Sequence, residues 1–324
     1  MATPRDALEH ALIERFQRGF PLVRRPYAAV ASALGATEDE VMAALRRMTE
    51  AGKVSRVGAV IAPGLAGAST LAAIAVPPER LEEVAARVSA DPRINHNYER
   101  ENAINLWFVL HAPNEAQLEA ALADVAATAG FPVLDLRLLR EHHIDLGFSL
   151  TEGQAKTRHA PVAARALEPT DHALIATLDR GLAIDALPFD RLAATLRVDV
   201  EDYLARLGRL VDKGVVRRFG LVLRHRAFGF DANAMVVWDV ADEDADRLGD
   251  RLADQEGVTL CYRRRRALPD WPYNLYAMIH GRDRSAVERR IDAVARAVGL
   301  DRLPRAVLFS RRCFKQTGAR REAA

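Results

Sequence analysis

The sequence predicts an α+β protein built twice: a tandem duplication of one module, each copy a winged helix-turn-helix segment followed by a β-α-β-β-α-β unit. Three observations predict it. The chain matches itself at a shift of 162 residues, His10-Ala11-Leu12-Ile13 falling on His172-Ala173-Leu174-Ile175 and Gly52, Val54, Arg56 and Gly58 on Gly214, Val216, Arg218 and Gly220. A period this long is a repeated domain, because solenoid units repeat every ~20–50 residues. Within each copy the apolar period changes from helical to alternating. Finally, 324 residues at 49% hydrophobic and 28% charged suffice for more than one core and exclude wholesale disorder.

The elements follow in order. Leu8, Ala11, Leu12 and Phe16 stand at helical spacing in residues 5–18. Tyr27–Leu34 is a second short helix behind Pro26. Thr37 precedes Glu40 by three residues, the capping-box spacing, and opens a third helix to Glu50 that Gly52 stops. Lys53–Ile61 is a strand in the place of a wing. Ser69–Val76 is a strand, and Pro78–Ala90 a helix with Leu81, Val84, Ala85 and Val88 on one face. Ile94–Arg100 and Ile104–His111 pair as strands, Glu115–Ala129 is a helix and Val133–His142 the last strand. That order is the ferredoxin-like split βαβ unit. The second copy repeats it at 171–180, 189–196, 200–212 and 215–223, then 232–240, 243–255, 258–264, 273–280, 284–298 and 305–313. Tyr98 then meets Tyr262, Asn105-Leu106 meets Asn274-Leu275 and His111 meets His280. The modules are placed at 1–150 (helix-turn-helix about 5–61, ferredoxin-like about 66–148) and 168–318 (about 170–223 and 229–316), joined by a linker at 151–167 that contains Pro161.

Several function classes are excluded or disfavoured. A net charge of +2 is no general polyanion binder, although the second half is the more basic: residues 1–160 hold 17 Lys+Arg against 20 Asp+Glu, leaving 29 against 24. Cys261 and Cys313 form neither a disulfide framework nor a CxxC zinc site. The N-terminal residues lack a secretory apolar stretch and no run of 18 apolar residues exists, so a cytoplasmic protein without a membrane span is expected.

A helix-turn-helix ahead of a ferredoxin-like module resembles the Lrp/AsnC family, whose members are usually amino-acid-responsive transcription regulators. The strings KVSRVGAVIAPGLAGASTLAAIAVP, NHNYERENAINLWFVLHA and LREHHIDLGFSL resemble a more specific group, the Lrp-like siroheme decarboxylases (NirD, NirL, NirG, NirH and their AhbA/AhbB relatives). KGVVRRFGLVLRHRAFGFDANAMVVW through YNLYAMIHG resembles the partner subunit, so the chain looks like a fused two-module form of NirDL type. The resemblance implies non-oxidative removal of two acetate carboxyls from siroheme to give didecarboxysiroheme, for heme d1 synthesis or an alternative heme route. It implies no added cofactor, since the iron enters with the substrate. It also implies that the two halves pair as a pseudo-dimer, with homo-oligomers or partner subunits as further possibilities.

The residues supply chemistry of that kind. A carboxylate-rich tetrapyrrole needs an apolar slot with cationic anchors, and arginine pairs carboxylates bidentately. In Tyr262-Arg263-Arg264-Arg265-Arg266, strand alternation sends Arg264 and Arg266 to one face and Arg263 and Arg265 to the other. A solvated hairpin tip is the competing reading. In Asn95–Arg100, His96, Tyr98 and Arg100 share one face. Decarboxylation leaves a carbanion equivalent that must be protonated, so His96 is the first candidate acid, Tyr98 an orienting group and Arg100 an anchor. His142 and His143 match the family's histidine-bearing tail and are further candidates, for acid or iron ligand, though adjacent strand residues face opposite ways. No protein metal site is expected from them, because they lack partners at ligand spacing. Arg311-Arg312 takes their place in the second copy. Arg56 and Arg218 begin matched strands, and Trp107 and Tyr276 follow matched Asn-Leu pairs. Helix packing competes for the first pair and core packing for the second.

The rival reading is a DNA-binding regulator. Its recognition helix would begin Thr37-Glu38-Asp39-Glu40, and the copy Asp199-Val200-Glu201-Asp202, which sets carboxylates against phosphates. DNA is therefore not expected as a partner. A tetrapyrrole carrier without chemistry is the third reading.

Overall fold

The computed structural model describes residues 4–62, 65, 67–144 and 167–317. The linker expected at 151–167 lies outside the described residues up to position 166. The first copy runs α1 (Pro4–Phe16), α2 (Pro26–Leu34), α3 (Glu38–Glu50), β1 (Val54–Ile61), β2 (Ala68–Ile74), α4 (Leu81–Ala90), β3 (Ile94–Arg100), β4 (Leu106–Ala112), α5 (Glu115–Ala129) and β5 (Leu134–Ile144). The second runs α6 (Pro169–Thr177), α7 (Pro188–Leu196), α8 (Val200–Asp212), β6 (Val216–Leu223), β7 (Ala232–Trp238), α9 (Asp242–Ala253), β8 (Val258–Arg264), β9 (Leu275–Gly281), α10 (Arg284–Val298) and β10 (Arg305–Gln316). The repeated Asn-Leu has a structural cause. Asn105 and Asn274 each exchange two side-chain bonds with a backbone amide and carbonyl, at Val76 (3.0 and 2.9 Å) and Val240 (3.0 and 2.9 Å), which fixes the start of β4 and β9.

The described residues group into two compact units, and each unit takes one module from either copy: 4–65 with 167–228, and 67–144 with 229–317. In the helical unit, Thr37 and Glu40 form the capping box expected of α3. Gly52 and Gly214 end the third helices at φ +70° and +71°, where a side chain would be strained. The strands expected as wings do not fold back within their own copies. β1 and β6 pair with each other, antiparallel, with Gly58 opposite Gly220. A Cβ on Gly220 would stand 2.4 Å from the carbonyl oxygens of Phe16 and Gln17, so glycine there lets the ribbon lie on the end of α1.

In the second unit each copy has the ferredoxin-like strand order, β3-β4-β2-β5 and β8-β9-β7-β10. Antiparallel pairs β5–β8 and β10–β3 join the two sheets into one closed eight-stranded barrel without free edges. The helices cover its outside over two apolar cores, one built around Ile74, Phe108 and Leu118, the other around Trp238, Cys261 and Ile291. A third apolar cluster lies on the enclosed face, from Ala73, Trp107, Leu136, Met235, Val237, Trp271, Tyr276 and Leu308. Among the described residues no helix is long and apolar enough to cross a membrane.

Candidate active site

Strand register decides which side chains enter the barrel. Tyr98 stands opposite Trp107 of the enclosed cluster, whereas Asn97 stands opposite Phe108 of a helix-side core. Alternation therefore brings His96, Tyr98 and Arg100 to the enclosed face, as their spacing predicted. Tyr262 stands opposite Tyr276 in the same way, which puts Arg264 beside them. His96, Tyr98, Tyr262 and Arg264 keep partial exposure although they face inward, while helix-side neighbours such as Phe108 and Cys261 are fully buried. Solvent thus reaches part of the enclosed face.

In the first half the His96 Nδ1 lies 3.4 Å from the Tyr98 hydroxyl, with the two rings near parallel at 15°. The Arg100 guanidinium lies 5.7 Å from the Tyr98 ring centre and donates to the Ser310 hydroxyl at 2.9 Å. In the second half Arg264 lies 5.1 Å from the Tyr262 ring centre and 5.9 Å from that of Tyr276. It donates to the Leu136 carbonyl at 3.0 Å, its Nε is buried without a hydrogen-bond partner, and no carboxylate among the described residues acts on it. Burial pulls its pKa down and pushes the Tyr262 hydroxyl up, the latter against the pull of Arg264 itself. Burial raises Tyr276 as well, opposed by the Trp271 indole, which donates to its hydroxyl at 2.7 Å.

The other arginines of that run are already paired with carboxylates. Arg263 pairs with Asp242 (3.1 Å) and Asp246 (3.3 Å), and Arg265 with Asp135 (2.6 Å). Arg266 was expected beside Arg264, but β8 ends at Arg264 and alternation ends with it. Arg266 instead pairs with Asp239 (3.0 Å) and Asp242 (2.7 Å).

Of the remaining expected residues only Trp107 shares the enclosed face, and it is closed in by its neighbours. Trp107 is 1% exposed, donates to the Ile104 carbonyl at 2.7 Å and packs edge-to-face on Trp271. His142 turns to α9, its ring buried, with Nδ1 2.9 Å from Asp250 and Nε2 3.8 Å from Asp246. Burial lowers its pKa, against the pull of Asp250. A bulge follows Glu141, and His143, also buried, stands opposite Cys261 of the helix-side core. The bulges also correct the repeat alignment here. Lys315 opposite Asn97 is the counterpart of His143 opposite Cys261, so Phe314-Lys315, rather than Arg311-Arg312, takes the place of the histidine pair. Arg56 and Arg218 belong to the helical unit, where each donates to a carbonyl three residues along its own strand, Ala59 at 3.2 Å and Leu221 at 3.5 Å.

Two inward histidines were not singled out from the sequence. His111, opposite Ser69, and His280, opposite Asn233, have the parity of Trp107 and Tyr276. The His280 Nδ1 lies 2.5 Å from the Asn233 side-chain oxygen. Their signal was the repeat itself: a polar residue kept in both copies at an inward strand position.

The helical unit gives little to a polyanion. The first turns of α3 and α8 are acidic, Arg46 donates to the Ile184 carbonyl at 2.7 Å, and Arg206 is held by Asp171 at 2.7 Å and Glu168 at 2.5 Å.

Residues 9–54 match a family model described as the siroheme decarboxylase NirDL-like HTH domain, and residues 66–143 and 227–315 match the AsnC-like ligand-binding domain. The chain is 43% identical to the siroheme decarboxylase NirDL subunit of Paracoccus denitrificans (strain Pd 1222), over 97% of both chains. Its structure matches a crystal structure of the siroheme decarboxylase NirDL with a TM-score of 0.67 at 28% identity, over 97% of this chain and 93% of the other. A crystal structure of siroheme decarboxylase NirDL in co-complex with an iron-uroporphyrin III analogue matches with a TM-score of 0.65 at 28% identity, over 98% and 94%.

Proposed function

We propose that this chain, which belongs to the NirDL siroheme decarboxylase family, is a carboxy-lyase that removes two acetate carboxyls from siroheme. The product is 12,18-didecarboxysiroheme, on the route to heme d1. Arg264 is the observation that carries the assignment of the site. A half-buried guanidinium with a buried Nε and no carboxylate partner among the described residues is incompletely compensated, and an incoming carboxylate both relieves that and gains a charge-assisted bond. Between the rings of Tyr262 and Tyr276, the site fits an acid group on a flat, apolar macrocycle.

The first half supplies the reactive group. When the methylene–carboxylate bond breaks, carbon dioxide leaves and the electron pair passes into the conjugated ring. The methylene carbon then takes a proton. His96, beside the Tyr98 hydroxyl, donates it, and Arg100 holds the neighbouring carboxylates. The reaction is redox-neutral and uses no added cofactor, the iron being part of the substrate. The enzyme works in the cytoplasm, with the substrate held against the barrel that the two halves complete together.

The test is anaerobic incubation of the purified chain with siroheme and mass spectrometry of the extracted pigment. Loss of two carbon dioxide equivalents is expected. Siroheme that binds and returns unchanged would make the protein a carrier, and siroheme that does not bind would overturn the assignment.

A further inference from the structure

The duplication lets the two halves of the barrel be compared position by position; Glu141, opposite Tyr262, answers to Cys313, opposite Tyr98, and the halves differ again at the place of the candidate proton donor. Tyr98 and Tyr262 stand opposite Trp107 and Tyr276, and each is followed two residues on by an arginine, Arg100 or Arg264. Inward histidines recur at His111 and His280. Even the bulges recur, between Ile94 and His96 in β3 and between Val258 and Leu260 in β8. Two positions before the tyrosine, however, the first half has His96 opposite Val109 and the second has Leu260 opposite Met278. Leucine carries no transferable proton, and its methionine neighbour supplies none.

We propose that both acetates are decarboxylated at His96 in the first half, in succession, while the second half holds carboxylates through Arg264 and converts none. The inference rests on the decarboxylase reading. Each step breaks one CH2–COO⁻ bond, releases one CO2 and turns the methylene into a methyl group with a proton from the His96 imidazolium. His96 regains a proton from water before the next step. Two reactive side chains on different rings of one macrocycle cannot both lie at a single imidazole, so the substrate is re-seated between the steps. The retained Tyr262–Arg264 pair gives it a second, unreactive grip on a carboxylate.

The alternative is one proton donor per half, supplied by His111 and His280, present in both, or in the second half by Glu141, opposite Tyr262. The variant His96→Asn separates the two schemes, since asparagine keeps hydrogen bonding but cannot donate a proton at neutral pH. The measurement is anaerobic single turnover with enzyme in excess over siroheme, with time points analysed by mass spectrometry and binding followed by the absorbance of the pigment. His96→Asn is expected to bind siroheme and to slow the loss of both the first and the second CO2 by ~10²–10⁴-fold, the scale of a lost general acid. A variant that releases one CO2 at the wild-type rate and stops there would overturn the proposal, because the second half would then own a donor. Release of both at the wild-type rate would overturn it as well.

If His96→Asn does not fold, the paired variants Tyr98→Phe and Tyr262→Phe decide. Tyr98→Phe is expected to lower both rate constants by a common factor. Tyr262→Phe is expected to act on the siroheme Kd. If each variant instead slows a different one of the two steps, the proposal fails. Wild-type enzyme run alongside keeps the two readings apart: no CO2 loss from it would sink the decarboxylase assignment itself.

Discussion

The two seams that close the barrel use the same register and different chemistry. In one, β5 pairs with β8: Leu138 stands opposite Arg264 and Arg140 opposite Arg263, and His142 turns onto α9. In the other, β10 pairs with β3: Ser310 stands opposite Arg100 and Arg312 opposite Glu99, and Phe314 packs into the helix-side core. Each seam covers one anchor arginine. Arg100 has the Ser310 hydroxyl at 2.9 Å, the Leu308 carbonyl at 3.4 Å and one aromatic ring, while Arg264 has the Leu136 carbonyl at 3.0 Å and two aromatic rings. Duplication has thus kept the backbone pairing and let the side chains at the seams diverge. At the β5–β8 seam Arg264 has neither a hydroxyl nor a carboxylate partner among the described residues.

The largest effect should therefore come from Arg264. Arg264→Met removes the buried charge but keeps most of the volume. It should weaken siroheme binding by ~100-fold, the scale of one lost buried charge-assisted bond of about 3 kcal/mol. Without substrate, the same change should hold or raise the melting temperature, because a half-buried cation without a carboxylate partner among the described residues is replaced by an apolar chain. Titration of siroheme by absorbance and thermal unfolding of the free protein check the two halves of this expectation. A melting temperature that drops by several degrees would mean that Arg264 supports the fold rather than the ligand.

How much of this was legible in the sequence depended on where regular alternation held. Along β3 it holds from His96 to Arg100, and His96, Tyr98 and Arg100 share the face their spacing predicted. At the end of β5 it fails, because register shifts between Leu138 and Arg140 and between Glu141 and His143 each insert an unpaired residue. No residue type marks those bulges, so neither the orientation of His142 nor its counterpart in the second copy could be read. Arg266 was misread for a related reason: the strand stops two residues short of it. The pairing of β1 with β6 is a contact between copies, and a pattern that is identical in both copies does not say whether each strand pairs at home or abroad. His111 and His280 were readable, since they survive the duplication as an inward polar pair.

A second expectation sharpens the comparison at the helices behind the seams. Asn97 donates to the Ala85 carbonyl at 3.1 Å, and its counterpart Cys261 donates to the Gly249 carbonyl at 3.5 Å, so Ala85 and Gly249 are matched positions. Only Gly249 faces a histidine: a Cβ there would stand 2.3 Å from the His142 Nε2. Gly249→Ala should destabilise the protein by ~1–3 kcal/mol through overpacking. Most of that loss should vanish in the double variant with His142→Ala, which removes the ring. Denaturant unfolding of the four proteins measures the coupling, and additive losses would show that His142 does not set the requirement for glycine.

A smaller effect separates the seams by pH. The groups around His142 are Asp250, Asp246 and Arg140, the last also paired with both acids at 3.1 and 3.2 Å. Burial holds the folded-state pKa of His142 below its value of about 6.5 in an unfolded chain. The unfolded state therefore binds the proton first. The contribution of His142 to stability is complete above about pH 6.5 and is lost as the pH falls through the folded-state value. His142→Phe, which copies Phe314 at the matched place, should reduce the fall in melting temperature between neutral and mildly acidic pH by about 2–4 °C. The control lies in the other seam. Arg312 pairs with Glu99 at 2.5 Å and with Glu82, but it is about half exposed, and an exposed pair is worth ~0–1 kcal/mol. Arg312→Gln should therefore lower the melting temperature slightly and by the same amount across that pH range. Were Arg312→Gln to change the pH dependence as much as His142→Phe, the titration would have to be assigned to carboxylates common to both seams, and the chemical difference between them would lose its energetic meaning.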